Sequence, residues 1–258
     1  MSSVLRTELV DGVSVVSLNR PAKHNALDDT LQEALWAAVA DAIDDDSVRA
    51  VLLRGEGPSF SSGRDTTALG HHGDRGLYAF AGQVQEAAVR LVTCPKPVVA
   101  ALKGHVLGVG LEIALSADIR VIARGTSIGF PEVNHGLSTD NGGAGLATVL
   151  AGPSRAKHLL MTGETIDADQ AVAWGLADWL VDPDQLDERA LEIARRLASR
   201  PPLAVRMFKH LVDQVHRGRV LDELRAELPV LMALYASDDV AEARSARAEG
   251  RPPVYRGR

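Results

Sequence analysis

The chain has 258 residues, 46% of them hydrophobic and 24% charged, which fits one large globular domain or one domain with a small appendage. Aromatics make up only 4%, so aliphatic side chains and alanine must build the core, and a net charge of −6 argues against a nucleic-acid partner. The single cysteine, Cys94, excludes an intrachain disulfide, and no uncharged stretch is long enough to span a membrane, so a soluble cytoplasmic protein without a membrane partner is expected.

Taken in chain order, Leu5–Val10 and Val13–Leu18 read as two strands joined by Asp11-Gly12, a hairpin signal. Asp28 or Asp29 caps a helix running to about Asp44, with Leu31, Leu35, Val39 and Ile43 on one face. Val48–Leu53 is a short apolar strand, Phe60–Thr67 a polar loop, and Leu77–Val92 a helix. Pro97–Leu102 reads as a buried strand, Gly104–Gly110 leads into a helix containing Glu112, and Ile119–Ala123 is the next strand. This alternation predicts an α/β domain of stacked ββα units. From Ser154 onward the pattern is mostly helical: Ser154–Met161, Asp167–Trp174, Leu186–Ser199, Leu203–Gly218, Leu221–Ala236 and Asp238–Arg247.

Glu112 is stranded in an apolar run, Leu107 to Leu115, and a second acid, Glu132, follows Gly129-Phe130-Pro131. A carboxylate among Leu, Val and Ile costs several kcal/mol unless it is paired or kept protonated. Gly108 and Gly110, just ahead of Glu112, let a helix N-terminus approach a ligand with bare N–H groups. The Ser62-Gly63-Arg64 turn and Thr139-Asp140-Asn141-Gly142-Gly143 add a further backbone turn, an acid and a glycine pair. Two N–H donors and two or three carboxylates suit enolate chemistry beside a thioester, where charge develops on the carbonyl oxygen and protons move to and from carbon.

The chain resembles the crotonase, or enoyl-CoA hydratase/isomerase, superfamily over nearly its whole length. The matching segments are Leu18–Leu27, Phe60–Asp65, Lys96–Gly104, Gly108–Glu112, Ala117–Arg120, Phe130–Gly136 and Leu160–Gly163. The resemblance implies a spiral of ββα units over residues 1–198 and a helical trimerisation region over 199–258, assembled as a homotrimer or a dimer of trimers. It implies an acyl-CoA substrate, with no cofactor beyond the coenzyme A that the substrate carries. It places the thioester oxygen against the backbone N–H groups of Arg64 and Val109, where Val109 replaces the family's usual glycine and its branched side chain needs room. Glu112 and Glu132 match the two catalytic glutamates of the hydratases. Ala22, Lys23, Ala26, Ser62, Gly63, Asp65, Gly108 and Gly110 match the CoA- and substrate-binding face.

Hydratases of the family usually carry proline and glycine where Thr139 and Asp140 stand. An aspartate eight residues after Glu132 is similar to the dienoyl-CoA isomerase branch. The expected activity is hydration of a trans-2-enoyl-CoA. Double-bond isomerisation by Glu132 and Asp140 is the alternative, and a non-catalytic acyl-CoA- or RNA-binding role a second one. Asp140 reads equally as a catalytic acid or as the N-cap of the next helix. Asp118 reads as a structural cap or pair, His135 as structural beside Glu132, and Gly142-Gly143 as close backbone packing at the site. His71 and His72 read as solvated loop residues with no ligand cluster, so no metal is expected. Residues between Leu69 and Val84 are expected to set acyl-chain preference.

Overall fold

The computed structural model describes residues 3–65 and 74–258, with the side chains of all of these except 74–80. His71, His72 and Leu69 therefore lie outside the described residues, as does much of the segment expected to set chain preference. β1 (Leu5–Val10) and β2 (Val13–Leu18) form the antiparallel hairpin, paired from Leu5 opposite Leu18 to Val10 opposite Val13. Asp11 and Gly12 have φ of 51° and 79°, the left-handed backbone of a tight two-residue turn. α1 (Asp29–Asp44) starts where the Asp28 carboxylate accepts the Leu31 N–H at 2.9 Å, and it buries Leu31, Leu35 and Val39.

The remaining elements are β3 (Ala50–Gly55), α2 (Asp74–Val92), β4 (Val98–Leu102), β5 (His105–Leu107), α3 (Val109–Leu115), β6 (Ile119–Ala123), β7 (Ser127–Gly129), α4 (Gly143–Ala151), α5 (Pro153–Thr162), β8 (Thr165–Asp167), α6 (Ala168–Ala173), β9 (Trp179–Val181), α7 (Leu186–Ala198), α8 (Pro202–Asp213), α9 (Arg217–Tyr235) and α10 (Asp238–Glu249). Two sheets result, one in the order β1-β2-β3-β4-β6-β9 and a smaller one in the order β5-β7-β8. From β2 onward the larger sheet is parallel. Two successive units give their first strand to the larger sheet and their second to the smaller one, β4 with β5 and β6 with β7. The expected stacking of ββα units is thus present.

Four short strands were not legible in the sequence. β5, β7, β8 and β9 span three residues each, too few for alternation to show. The stretch after Ser154 is therefore not purely helical, because β8 and β9 interrupt it. The central strands β2, β3, β4 and β6 are buried on both faces, as a parallel sheet requires, whereas the antiparallel edge strand β1 is exposed from Arg6 to Leu9. Val16, Leu18, Val51, Leu53, Val98, Ala100 and Leu102 face the main core with α1 and α3. Val13, Val15, Leu52, Val99 and Val121 face α7 across a small-residue seam of Ala50, Ala101, Ala123, Ala190 and Ala194. That seam is how a chain poor in aromatics seats a helix closely on a sheet.

Asp118 is structural, as expected: it accepts the Val98 N–H at 2.7 Å and pairs with Lys209 at 2.6 Å. In the C-terminal third, α8 leaves Leu203, Met207, Phe208 and Leu211 exposed in a row. By contrast α9 packs on α2 and α4, and α10 packs on the turn at Pro131–His135. Two of the three C-terminal helices thus close over this chain's own residues. Among the described residues, no helix is long and apolar enough to cross a membrane.

Candidate active site

Glu112 lies in α3 and is 1% exposed. Its Oε2 accepts the N–H of Asn141 at 2.8 Å and of Gly143 at 3.0 Å. These amides belong to the turn that opens α4, where first-turn N–H groups lack helical acceptors and favour a negative charge. Among the described residues both hydrogen bonds to its carboxylate fall on Oε2. The glycine pair is read correctly as close packing, because a Cβ on Gly143 would stand 2.9 Å from Glu112 Oε2 and 2.8 Å from Thr139 Cγ2. Gly143→Ala is expected to lower kcat about tenfold or more while leaving the protein folded, since the methyl must displace the carboxylate it abuts. Steady-state kinetics together with circular dichroism check this.

Glu132 sits at the start of the short 3-10 turn Pro131–His135, with α10 packed behind it. Its carboxylate lies directly against Gly108, where any Cβ would collide with Glu132 Oε1. Gly108 also has φ of 53°, so both backbone conformation and space require glycine there. Glu132 thus reaches the residue that precedes Val109, the first residue of α3. Glu132 Oε2 is buried with no hydrogen-bond partner among the described residues, an arrangement that calls for a functional explanation.

The loop carrying Arg64 runs beside the same helix start. Ser61 exchanges backbone hydrogen bonds with the β5 segment, accepting from Leu107 N–H and donating to the His105 carbonyl, both at 3.0 Å. Gly63, with φ of 94°, lies so close to Leu107 that a Cβ would stand 2.8 Å from its carbonyl oxygen. Gly110 abuts Ser61 in the same way, its Cβ position 2.8 Å from Ser61 Cβ, so this glycine packs loop against helix. Leu27 bonds the Gly63 carbonyl and the Asp65 N–H, both at 2.8 Å. In an extended chain the intervening N–H, that of Arg64, then points away from Leu27. The Arg64 side chain turns to Asp29 and Gln32 of α1. Val109 is 6% exposed, and its branched side chain packs into the main core.

On the outer side, Ala22 and Lys23 are exposed on the 3-10 turn Pro21–Lys23, and Ala26 is nearly buried beside it. The Ser62 N–H donates to the His24 carbonyl at 2.9 Å, which brings Ser62 and Gly63 alongside this surface. Asp65 is 8% exposed and its carboxylate accepts from Arg20 at 3.2 Å, so it braces the loop from within.

Asp140 is not a helix cap. α4 begins one residue after Gly142, which occupies the N-cap position without a side-chain bond, and the Asp140 carboxylate instead accepts from its neighbour Asn141 at 2.6 Å. Asp140 lies near enough to act on the charge of both glutamates. Burial pushes Glu112 well above the ordinary carboxylate range, and the charges of Asp140, Glu227 and Glu132 add to the shift. Burial likewise raises Glu132 to about 7, with Asp140 adding to it. Asp140 itself is raised by burial, opposed by its bond from Asn141 and by the Arg64 guanidinium. A proton held by one of these acids near neutral pH is what proton transfer to carbon needs. His135 is held below its ordinary range by burial and by Arg247 of α10. Among the described residues no group of acids, histidines or cysteines is arranged to hold a metal.

Two further acids were missed by reading the sequence. Glu227, on α9, accepts Thr139 Oγ1–H at 2.6 Å and Gly142 N–H at 2.7 Å, and Glu223 accepts Gly145 N–H at 2.9 Å. The signal was available: Glu227 occupies a place in the buried stripe Val220, Leu224, Glu227, Leu231, where a helix otherwise puts aliphatics.

Interleaved sheets with an acid-lined helix junction define a crotonase-type acyl-CoA enzyme fold. The family model for enoyl-CoA hydratase/isomerase matches residues 8–258, and the chain belongs to that family. It is 34% identical to a short-chain-enoyl-CoA hydratase of Clostridium acetobutylicum over 93% of this chain and 92% of that one. It is 32% identical to a carnitinyl-CoA dehydratase of Salmonella typhi, covering 94% of each. Among solved structures, an enoyl-CoA hydratase/isomerase from Xanthobacter autotrophicus superposes with a TM-score of 0.89 at 31% identity, over 97% of this chain and 95% of that one.

Proposed function

We propose that this chain is an enoyl-CoA hydratase, adding water across the 2,3 double bond of a trans-2-enoyl-CoA. The observation that carries this reading is the pair of glutamates at the start of α3. Glu112 is clamped by two amides through one oxygen, and Glu132 is laid against Gly108 with a carboxyl raised to about 7. The hydratase relatives, similar over almost the whole chain, support it.

In the proposed reaction the N–H groups of Arg64 and Val109 receive the thioester oxygen as it takes on enolate charge, each donor contributing about 3–4 kcal/mol in the transition state. Glu112 Oε1 and Glu132 hold one water between them. Its oxygen bonds to C3, one proton passes to a glutamate, and a proton from the Glu132 carboxyl reaches C2. By microscopic reversibility the same site removes water from a 3-hydroxyacyl-CoA, the direction named for the dehydratase relative. Ala22, Lys23, Ala26, Ser62 and Gly63 form the CoA-facing surface, with Lys23 as a point charge for a phosphate. Acyl-CoA is the partner, and no other cofactor takes part. The exposed apolar row on α8 supports association of several copies, which we read as a homotrimer or a dimer of trimers, and we place the protein in the cytoplasm.

Loss of the conjugated enoyl absorbance of crotonyl-CoA tests hydration directly. Inertness there, with conversion of a 3,5-dienoyl-CoA to its 2,4 isomer, would sink the reading. Asp140→Asn sharpens the test. It is expected to leave hydration within about tenfold of wild type, because neither water-holding glutamate is removed, whereas an isomerase relying on Asp140 would lose about a hundredfold or more.

A further inference from the structure

We propose that Glu227 is a positioning residue of the active site, holding the 139–145 turn in the shape in which that turn clamps Glu112. The proposal rests on the hydratase reading for its kinetic consequences, and on the geometry of the turn for its structural ones.

Five successive amides of this turn go to three carboxylates. Asn141 and Gly143 donate to Glu112 Oε2, at 2.8 and 3.0 Å. Gly142 and Ala144 donate to Glu227, at 2.7 and 3.4 Å, and Gly145 donates to Glu223 at 2.9 Å. The catalytic carboxylate and the α9 pair therefore grip the same short length of chain. The Gly142 amide lies between the two that hold Glu112, and peptide planes are rigid, so a shift at Gly142 moves its neighbours. The Thr139 hydroxyl adds a side-chain tie to Glu227 at 2.6 Å, just ahead of Asp140.

Glu227 is 5% exposed, a position where an acid without partners would be costly. Burial and the nearby Glu223 raise its carboxyl to about 8, against the Thr139 and Gly142 hydrogen bonds, which favour the charged form. The charged and titratable groups facing it are Glu223 on its own helix, Asp140 on the turn and Glu112 on α3. Glutamine keeps the shape of the side chain and its two short bonds, to Gly142 and to the Thr139 hydroxyl. The Gln Oε1 can accept from Gly142, and its NH2 can donate to the Thr139 oxygen, giving up only the long bond from the Ala144 N–H at 3.4 Å. Alanine leaves the Thr139 hydroxyl and the Gly142 and Ala144 amides without this acceptor in a buried place.

The experiment compares Glu227→Ala and Glu227→Gln by steady-state kinetics, acyl-CoA binding stoichiometry and amide hydrogen exchange over residues 139–145. Glu227→Ala is expected to bind about one acyl-CoA per chain with KM within about threefold of wild type, while kcat falls about ten- to a hundredfold. Amide exchange over Asn141–Gly143 is expected to accelerate in that variant, and Glu227→Gln is expected to recover kcat to within about fivefold. Glu227→Ala with kcat within twofold of wild type, or with unchanged exchange over the turn, overturns the proposal. So does Glu227→Gln damaged as severely as alanine, since a charge or proton would then matter more than position. Should the alanine variant not fold, Glu227→Met, which fills the space but offers no acceptor to Gly142, is read by the same kinetics and exchange with the same outcomes. A wild-type protein that hydrates no enoyl-CoA defeats the hydratase reading, while the exchange measurement still tests the role of Glu227 in the turn.

Discussion

Glu132→Gln is expected to lower the kcat of enoyl-CoA hydration by about a thousandfold or more, with acyl-CoA affinity within about threefold of wild type. The glutamine keeps the shape of the side chain against Gly108, where there is no room for anything but a close fit. It cannot carry a proton. The carboxyl it replaces is raised to about 7 by burial and by Asp140, so in the native site it is poised to hold and release one near neutral pH. Its buried Oε2 has no hydrogen-bond partner among the described residues. Isothermal titration with a saturated acyl-CoA separates binding from turnover. Turnover within tenfold of wild type would remove Glu132 from the proton path, and a matching loss of affinity would recast it as a binding group.

What was legible in the sequence follows from how local each signal is. The Asp11-Gly12 hairpin and the Asp28 cap depend on a few adjacent residues, and both are present. Glu112 stood out because its apolar neighbours are contiguous, and it is indeed almost fully buried. The strands of the smaller sheet were not legible, because a three-residue strand has no period to read and is held by partners far along the chain. Glu227 was hidden for a related reason. Its apolar companions are spaced by helix turns rather than adjacent, and its partner Thr139 lies 88 positions away. The alternative cap role of Asp140 failed because the helix starts two residues later than local propensity suggests, with Gly142 as the cap, and the N–H groups are satisfied by Glu112 and α9 instead. A site assembled by tertiary acceptors leaves little trace at the residues that donate to them.

The same cluster predicts an unusual dependence of stability on pH. The protein is expected to become less stable as pH rises from about 6.5 to 8.5, by about 3 kcal/mol. Glu132 is raised from 4.5 to about 7 and Glu227 from 4.5 to about 8, both chiefly by burial. In the unfolded chain both have lost their protons by pH 6.5, whereas the folded protein still holds them, so the native state binds more protons and its advantage shrinks with rising pH. The stabilising contribution is fully present below the unfolded value, 4.5, and is lost on passing through about 7 and then about 8. At about 1.4 kcal/mol per pH unit, Glu227 accounts for roughly 2 kcal/mol between pH 6.5 and 8 and Glu132 for less than about 1 kcal/mol. Glu112 and Asp140 are raised as well and act with the same sign. His135, held below its ordinary value by burial, works the other way but only as pH falls below about 6.5, so the alkaline limb is the one to measure. For a chain of this size the limb corresponds to a fall in Tm of about 6–12 °C. Differential scanning calorimetry across that range reads it, and Glu227→Gln, which has no proton to lose, is expected to flatten most of the slope. A Tm that is level or rising between pH 6.5 and 8.5 would mean that these acids are ionised in the folded protein, and that the amides of the 139–145 turn outweigh the cost of burying their charge.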